Sequence, residues 1–156
     1  MKLTFLHLKI NKFVGKYYFL SNFYENDVFW DGRWYRNSEA AYQSAKTLDE
    51  EEREKFIDMS PIQARHYGRA LKDIRPDWEE VKYDIMLDIV RAKFYQDPIL
   101  ARKLTDTKNR YLEEGNTWND RTWGTVNGKG KNWLGKILMQ VRDELKVKEN
   151  RLFDID

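Results

Sequence analysis

Val28-Phe29-Trp30-Asp31-Gly32-Arg33-Trp34-Tyr35-Arg36-Asn37-Ser38-Glu39-Ala40-Ala41-Tyr42-Gln43-Ser44-Ala45-Lys46 passes from strand chemistry to helix chemistry in one short stretch. The aromatic and β-branched residues flank Asp31-Gly32, which suits a tight type I′ turn, so 28–35 predicts a hairpin. Residues 38 to 48 predict a helix. Asn37 or Ser38 can cap it, and Ala40, Ala41 and Ala45 favour it. The strands are short, so the sheet is a small element on a helical body.

Helices dominate downstream. The acidic run Asp49 to Glu52 fits the first turn of a second helix ending near Met59. Ser60-Pro61-Ile62-Gln63 predicts a capping box with Pro at the first helical position, and Gly68 either ends that helix or lets a backbone pass closely. Pro76-Asp77-Trp78-Glu79-Glu80 reads as another capping box. It opens the longest helix, about 78 to 95, whose expected buried stripe is Trp78, Val81, Ile85, Ile89 and Ala92. Asp97-Pro98 starts a helix through Leu104. Residues 105 to 132 read as loop, a length uncommon unless functional or disordered, and the tryptophans and glycines favour an ordered, functional loop. Asn132 can cap the last helix, with Leu134, Ile137, Leu138, Val141 and Leu145 as its apolar stripe. Upstream, Phe5 to Ile10 and Lys16 to Phe19 are candidate strands. The expected fold is mainly α with small β elements (α+β), in a single domain over 1–156, with a charged tail at 146–156 that frays.

Composition narrows the chemistry. A chain of 156 residues suits one domain, and roughly 68–70% of its unfolded surface can be buried at this size. There is no cysteine, which excludes disulfides, thiolate metal sites and a cysteine nucleophile. With only His7 and His66, a three-histidine or HExxH metal site is impossible. The stretch Met1 to Val14 lacks the pattern of a signal peptide. No run approaches about 18 apolar residues, so no membrane span is expected. A cytoplasmic location fits. The net charge of +2 is too balanced to argue for nucleic acid by itself. The stretch Arg121 to Lys136 is locally basic, with Arg121, Lys129, Lys131 and Lys136, and can meet phosphate. Aromatic residues make up 15% of the chain. Rings make good walls for a flat base as well as good core.

Three groups of residues can carry chemistry. Glu39, Tyr42, Gln43 and Lys46 fall at i, i+3, i+4 and i+7, one helical face, while Ala41, Ala45 and Leu48 fall on another and can pack inward. The same spacing also describes an ordinary solvated face with an ion pair. Leu20-Ser21-Asn22-Phe23-Tyr24 sets short hydrogen-bonding groups beside rings, as a plain turn also does. Asn119-Asp120-Arg121-Thr122-Trp123-Gly124 and Asn127-Gly128-Lys129-Gly130-Lys131-Asn132 set a carboxylate beside an indole, with glycines that let backbone N–H groups approach an anion. A flexible surface loop has the same composition. Trp78 reads as core or as a ligand wall, and Lys93-Phe94 is equally ambiguous.

Taken in order, these segments resemble the motifs of the YbiA-like, or NADAR, family. Leu20-Ser21-Asn22-Phe23 and Ser38 to Lys46 match the first two. Ala64-Arg65, Gly68-Arg69, Asp77 to Lys82, Ala92-Lys93-Phe94, Asp120 to Gly124 and Gly128 to Met139 follow, so the match runs from about 19 to 145. Two departures stand out. The family commonly carries His directly after the motif glutamate, where this chain has Ala40, and the region from Gly68 to Pro76 is shorter than in some members.

The resemblance implies a mainly helical fold and an N-glycosidase. One branch of the family acts on phosphoribosylamino intermediates of riboflavin synthesis, and another removes ADP-ribose from guanine, including guanine in DNA. It implies Glu39 and Asp120 as catalytic candidates. Asn22, Phe23, Tyr42, Lys46, Arg69, Trp78, Lys82, Trp123, Gly124, Lys131 and Asn132 are the substrate-binding candidates. No metal and no cofactor are expected, and NAD would not serve as a hydride carrier. The expected partner is a small phosphorylated ribosyl-base substrate or ADP-ribosylated guanine, with DNA as a further candidate and no membrane. Breaking a ribose–nitrogen bond develops positive charge at the anomeric carbon, which a fixed carboxylate stabilises; a carboxylate also orients or deprotonates water. Glu39 or Asp120 fills this role and the other assists. Attack by a neutral Lys46 amine on C1 is an alternative route. A non-catalytic module that binds ADP-ribose or a nucleotide is the contrasting class.

Overall fold

A computed structural model describes residues 9–153 and shows a mainly helical chain with two small two-stranded sheets. In chain order the elements are β1 (Lys9–Ile10), a 3-10 helix (Gly15–Leu20), β2 (Glu25–Trp30), β3 (Arg33–Asn37), α1 (Ser38–Ser44), α2 (Glu50–Glu54), α3 (Pro61–Ala70), α4 (Trp78–Gln96), α5 (Pro98–Thr105), β4 (Tyr111–Leu112) and α6 (Trp133–Phe153). They gather into two compact units, residues 22–96 and residues 9–21 with 97–153. No helix among the described residues is long and apolar enough to cross a membrane.

In the 22–96 unit, β2 and β3 pair antiparallel with Trp30 opposite Arg33. Asp31 (φ 51°) and Gly32 (φ 78°) both take the left-handed conformation that a type I′ turn needs, so the hairpin forms as expected. Asn37 ends β3 and caps α1, its side chain accepting from the Ala40 N–H at 2.8 Å. The helix stops at Ser44, short of the expected Leu48. Ala45 N–H is shared between the Ala41 and Tyr42 carbonyls, and Lys46 and Thr47 reach only three residues back, so the last turn tightens. Leu48, expected to pack inward, is 60% exposed.

The second helix keeps its acidic start, capped by Asp49, but ends at Glu54 and continues as turns. The capping box at Ser60 and Gln63 forms as read. Gly68 lies inside α3, which runs on to Ala70. The Asp77 carboxylate is held by Arg75 at 2.6 and 3.0 Å, while the Asp77 carbonyl accepts from Glu80 and Val81. On α4 the buried face is Trp78, Met86, Ile89, Val90, Lys93 and Phe94. The expected Val81, Ile85 and Ala92 are only half-buried, because the face turns to pack on α1 and β2.

In the other unit, β1 pairs parallel with β4, Lys9 opposite Tyr111. Of the expected strand Phe5 to Ile10, residues 5–8 lie outside the described residues. Lys16 to Phe19, expected as a strand, belongs to the 3-10 helix. Its ends are closed by the local bonds Tyr17 N–H to Val14 O and Ser21 N–H to Tyr18 O, at 3.1 and 2.9 Å. The apolar stripe of α6 is buried as read, and the helix continues through the charged segment to Phe153 instead of fraying from Lys146. Asn132 does not cap it. Its side chain accepts from the Glu114 N–H at 3.0 Å and donates to the Leu112 carbonyl at 2.9 Å, tying the start of α6 to the strand before it.

Asn132 is 2% exposed, so Asn132→Ala orphans a buried donor and acceptor. It should lower unfolding free energy by about 2–3 kcal/mol in a denaturant titration, with an unchanged m-value.

Candidate active site

Position N2 of α1 places a carboxylate inside the protein. Glu39 is 7% exposed, its N–H bonds the Asn22 carbonyl at 3.2 Å, and Gln43 Nε2 donates to its Oε1 at 2.9 Å. Burial pushes the Glu39 carboxyl above the usual glutamate range. The Gln43 amide and the positive charges of Arg65, Lys46 and Arg69 pull the other way without cancelling the shift. Arg65 Nε stands 3.9 Å from Glu39 Oε1, and its guanidinium lies over the Phe23 ring, 4.3 Å from the centroid. Burial lowers the Lys46 ammonium, against the pull of Glu39 and with the push of Arg69 and Lys82. The Lys46 carbonyl is anchored by the Arg75 N–H at 2.7 Å.

Of the expected residues of this unit, Asn22, Lys46 and Arg69 lie near that carboxylate. Asn22 is buried and its amide donates to Met86 Sδ at 3.3 Å. Tyr42 and Trp78 are both buried, with rings 5.1 Å apart and tilted by 50°. Lys82 is ion-paired with Glu79, and Arg69 is exposed on α3. Two contributors were absent from the expected set. Arg65 and Gly68 sit three residues apart on the face of α3 that meets α1, a spacing visible in the sequence. A Cβ on Gly68 would fall 2.0 Å from Gln43 Oε1 and 2.9 Å from Gln43 Cβ. The missing side chain makes room for the amide that holds Glu39.

The loop residues of the second unit form a rigid turn. Asp120 Oδ1 accepts from the Thr122 and Trp123 N–H groups at 3.0 and 2.9 Å. Asn116 holds the Asp120 backbone from both sides, through its Oδ1 at 3.0 Å and its Nδ2 at 2.8 Å. Trp123 packs edge-on against Trp133 at 5.5 Å, and Lys131 Nζ lies 4.9 Å from the Trp133 ring centroid. Gly124 is buried against backbone, where a Cβ would meet the Glu114 carbonyl at 2.1 Å. The expected loop is therefore ordered, and Asn132 is one of its ties.

A family model described as the NADAR domain matches residues 10–146. This chain belongs to the NADAR domain family. It is 40% identical over 132 residues to the N-glycosidase YbiA of Shigella flexneri, covering 83% of this chain and 82% of that protein. A riboflavin biosynthesis protein of Vibrio vulnificus is 37% identical over 130 residues, 81% of this chain but 35% of that longer protein. The solved NMR structure of Escherichia coli YbiA superposes with a TM-score of 0.81 at 36% identity, covering 91% of this chain and 88% of that one. The family places the chain among the N-glycosyl hydrolases.

Gly68→Ala should displace Gln43 and cut turnover by about tenfold or more while the fold persists, checked by steady-state rates beside circular dichroism. Glu39→Gln tests the buried charge. The folded state binds the Glu39 proton more tightly than the unfolded state, so wild-type stability falls as pH rises from the ordinary glutamate value through the raised one. At neutral pH the Gln variant should therefore melt higher than wild type in a thermal scan. The gap should close below the ordinary glutamate pKa.

Proposed function

We propose that this chain hydrolyses the ribose–nitrogen bond of a small phosphorylated ribosylamino-pyrimidine of the kind formed in riboflavin synthesis, with Glu39 and Asp120 as its acidic groups. One observation carries the reading: Glu39 is buried and set among Arg65, Lys46, Arg69 and, through Lys46, Lys82. These cations outnumber the nearby carboxylates Glu39 and Glu79, so the neighbourhood attracts a phosphate. The carboxylate itself stabilises charge developing at the anomeric carbon. A raised pKa makes Glu39 a better proton acceptor than an exposed glutamate. In this account a water oxygen bonds to C1 as the C1–N bond breaks, the water's proton passes to Glu39, and a proton returns to the leaving nitrogen. Asp120, fixed by two backbone N–H groups, serves the ribose hydroxyls or the leaving nitrogen. Tyr42 and Trp78 offer flat rings to a base. The riboflavin name of the Vibrio relative supports the choice of substrate class.

Glu39→Gln and Asp120→Asn should each reduce hydrolysis of a phosphoribosylamino-pyrimidine by at least about 100-fold, followed as released base and sugar phosphate by liquid chromatography and mass spectrometry. Because Glu39 must be ionised to accept a proton, the acid limb of the wild-type rate should lie above the ordinary glutamate pKa. Near-full turnover in both variants removes them from the chemistry. Cleavage of ADP-ribosyl-guanine in place of the small metabolite moves the chain to the family's other branch. Saturable binding with the ligand unchanged in mass makes it a binding module.

A further inference from the structure

The arginines of the 22–96 unit divide into two groups. Arg33, Arg36, Arg53 and Arg75 each donate hydrogen bonds to carboxylates or backbone carbonyls, and Arg91 pairs with Asp88. The side chains of Arg65 and Arg69 donate none among the described residues. These two lie four residues apart on α3, so they share a face, and the charges of both act on the Glu39 carboxyl.

Arg65 is held in place without its N–H groups being used. Its guanidinium lies over the Phe23 ring, 4.3 Å from the centroid. A ring beneath the guanidinium orients its plane and leaves the in-plane donors open. Glu39 Oε1 stands 3.9 Å from Arg65 Nε, beyond hydrogen-bond range, and that oxygen already accepts from Gln43. The Arg65 side chain is 29% exposed, and none of its nitrogens is among the polar atoms cut off from solvent without a partner. A ligand can therefore reach them.

Lys46 adds a third cation. Its ammonium makes no hydrogen bond or ion pair among the described residues, and it feels the charges of Glu39 and Arg69. Lys82, by contrast, is paired with Glu79. Three cations with unused donors thus gather at one carboxylate. A phosphate monoester, close to doubly negative at neutral pH, matches that excess. The parallel N–H groups of a guanidinium match two of its oxygens, which a single ammonium does not.

We propose that Arg65 determines specificity for a phosphorylated ribosyl substrate, its guanidinium fork holding two phosphate oxygens while Phe23 keeps the plane of the fork fixed. Arg69 and Lys46 add positive charge at the same place. The assignment rests on the reading of Glu39 as an acidic group at the ribose, because the phosphate held by Arg65 belongs to the sugar whose C1 Glu39 serves.

The test compares a phosphoribosylamino-pyrimidine with the same compound lacking its phosphate. Wild type should prefer the phosphorylated form in kcat/KM. Arg65→Gln should lower kcat/KM on that form by about tenfold or more, with little change on the dephosphorylated form. Arg65→Lys, which keeps the charge without the fork, should retain only part of the preference, and it carries the same comparison if Arg65→Gln fails to fold by circular dichroism. A role confined to folding or to the Glu39 proton moves both substrates alike, so equal losses overturn the proposal, as does an unchanged preference. Binding is measured apart from turnover by isothermal titration calorimetry with ribose 5-phosphate, and with ribose as the control. Wild type should bind ribose 5-phosphate more tightly than ribose, and Arg65→Gln should remove most of that difference. Arg65-dependent binding of ribose 5-phosphate with neither substrate turned over sinks the hydrolase reading alone. Turnover with the phosphate preference intact in Arg65→Gln sinks the Arg65 assignment alone.

Discussion

Glu39 is a charge held largely out of water, and the 22–96 unit is arranged around that fact. An isolated carboxylate in such a place would simply take up a proton. Here Gln43 donates to one oxygen, Arg65 stands 3.9 Å away, and Lys46 and Arg69 add their fields. The balance still favours the proton more than water does, so the Glu39 carboxyl holds its proton to higher pH than an exposed glutamate. Folding is weakened by that property. Positions that combine a stability cost with reactive potential are a recurrent mark of active sites.

The supports for this carboxylate come from several directions in sequence. Asn22 lends its carbonyl to the Glu39 N–H, Phe23 lies beneath Arg65, and Gly68 leaves the space that Gln43 fills. Lys93 shows the same environment more severely. Its ammonium is buried, 5.6 Å from the Tyr24 ring centroid and 5.2 Å from that of Phe94, and burial brings its pKa down to about 7. Its ring neighbours offer cation–π attraction in partial exchange for lost hydration.

In the second unit, order is achieved by side-chain amides rather than by regular structure. Asn116 and Asn132 each make hydrogen bonds to backbone that no helix or sheet satisfies. That is why a segment of this length can be loop in its backbone conformation and still hold Asp120 and Trp123 in fixed positions.

Local rules settled much of the chain in advance. The hairpin was legible because Asp-Gly is among the few dipeptides that accept two left-handed residues, and the caps at Asn37 and Ser60 because a short oxygen before a helical run can accept its first free N–H groups. The grouping of Glu39, Tyr42, Gln43 and Lys46 followed from helical spacing, and the family motifs named the reaction class. Other features depended on packing. The buried face of α4 turned toward Met86 and Val90, Lys16 to Phe19 coiled into a 3-10 turn, and Asn132 bonded a strand instead of its own helix. Neither Arg65 over Phe23 nor the fit of Gly68 to Gln43 has a local signature, since each joins residues from different elements. Spacing tells which side chains share a face. What that face meets, and how far its charges are removed from water, is set only when the elements close on one another.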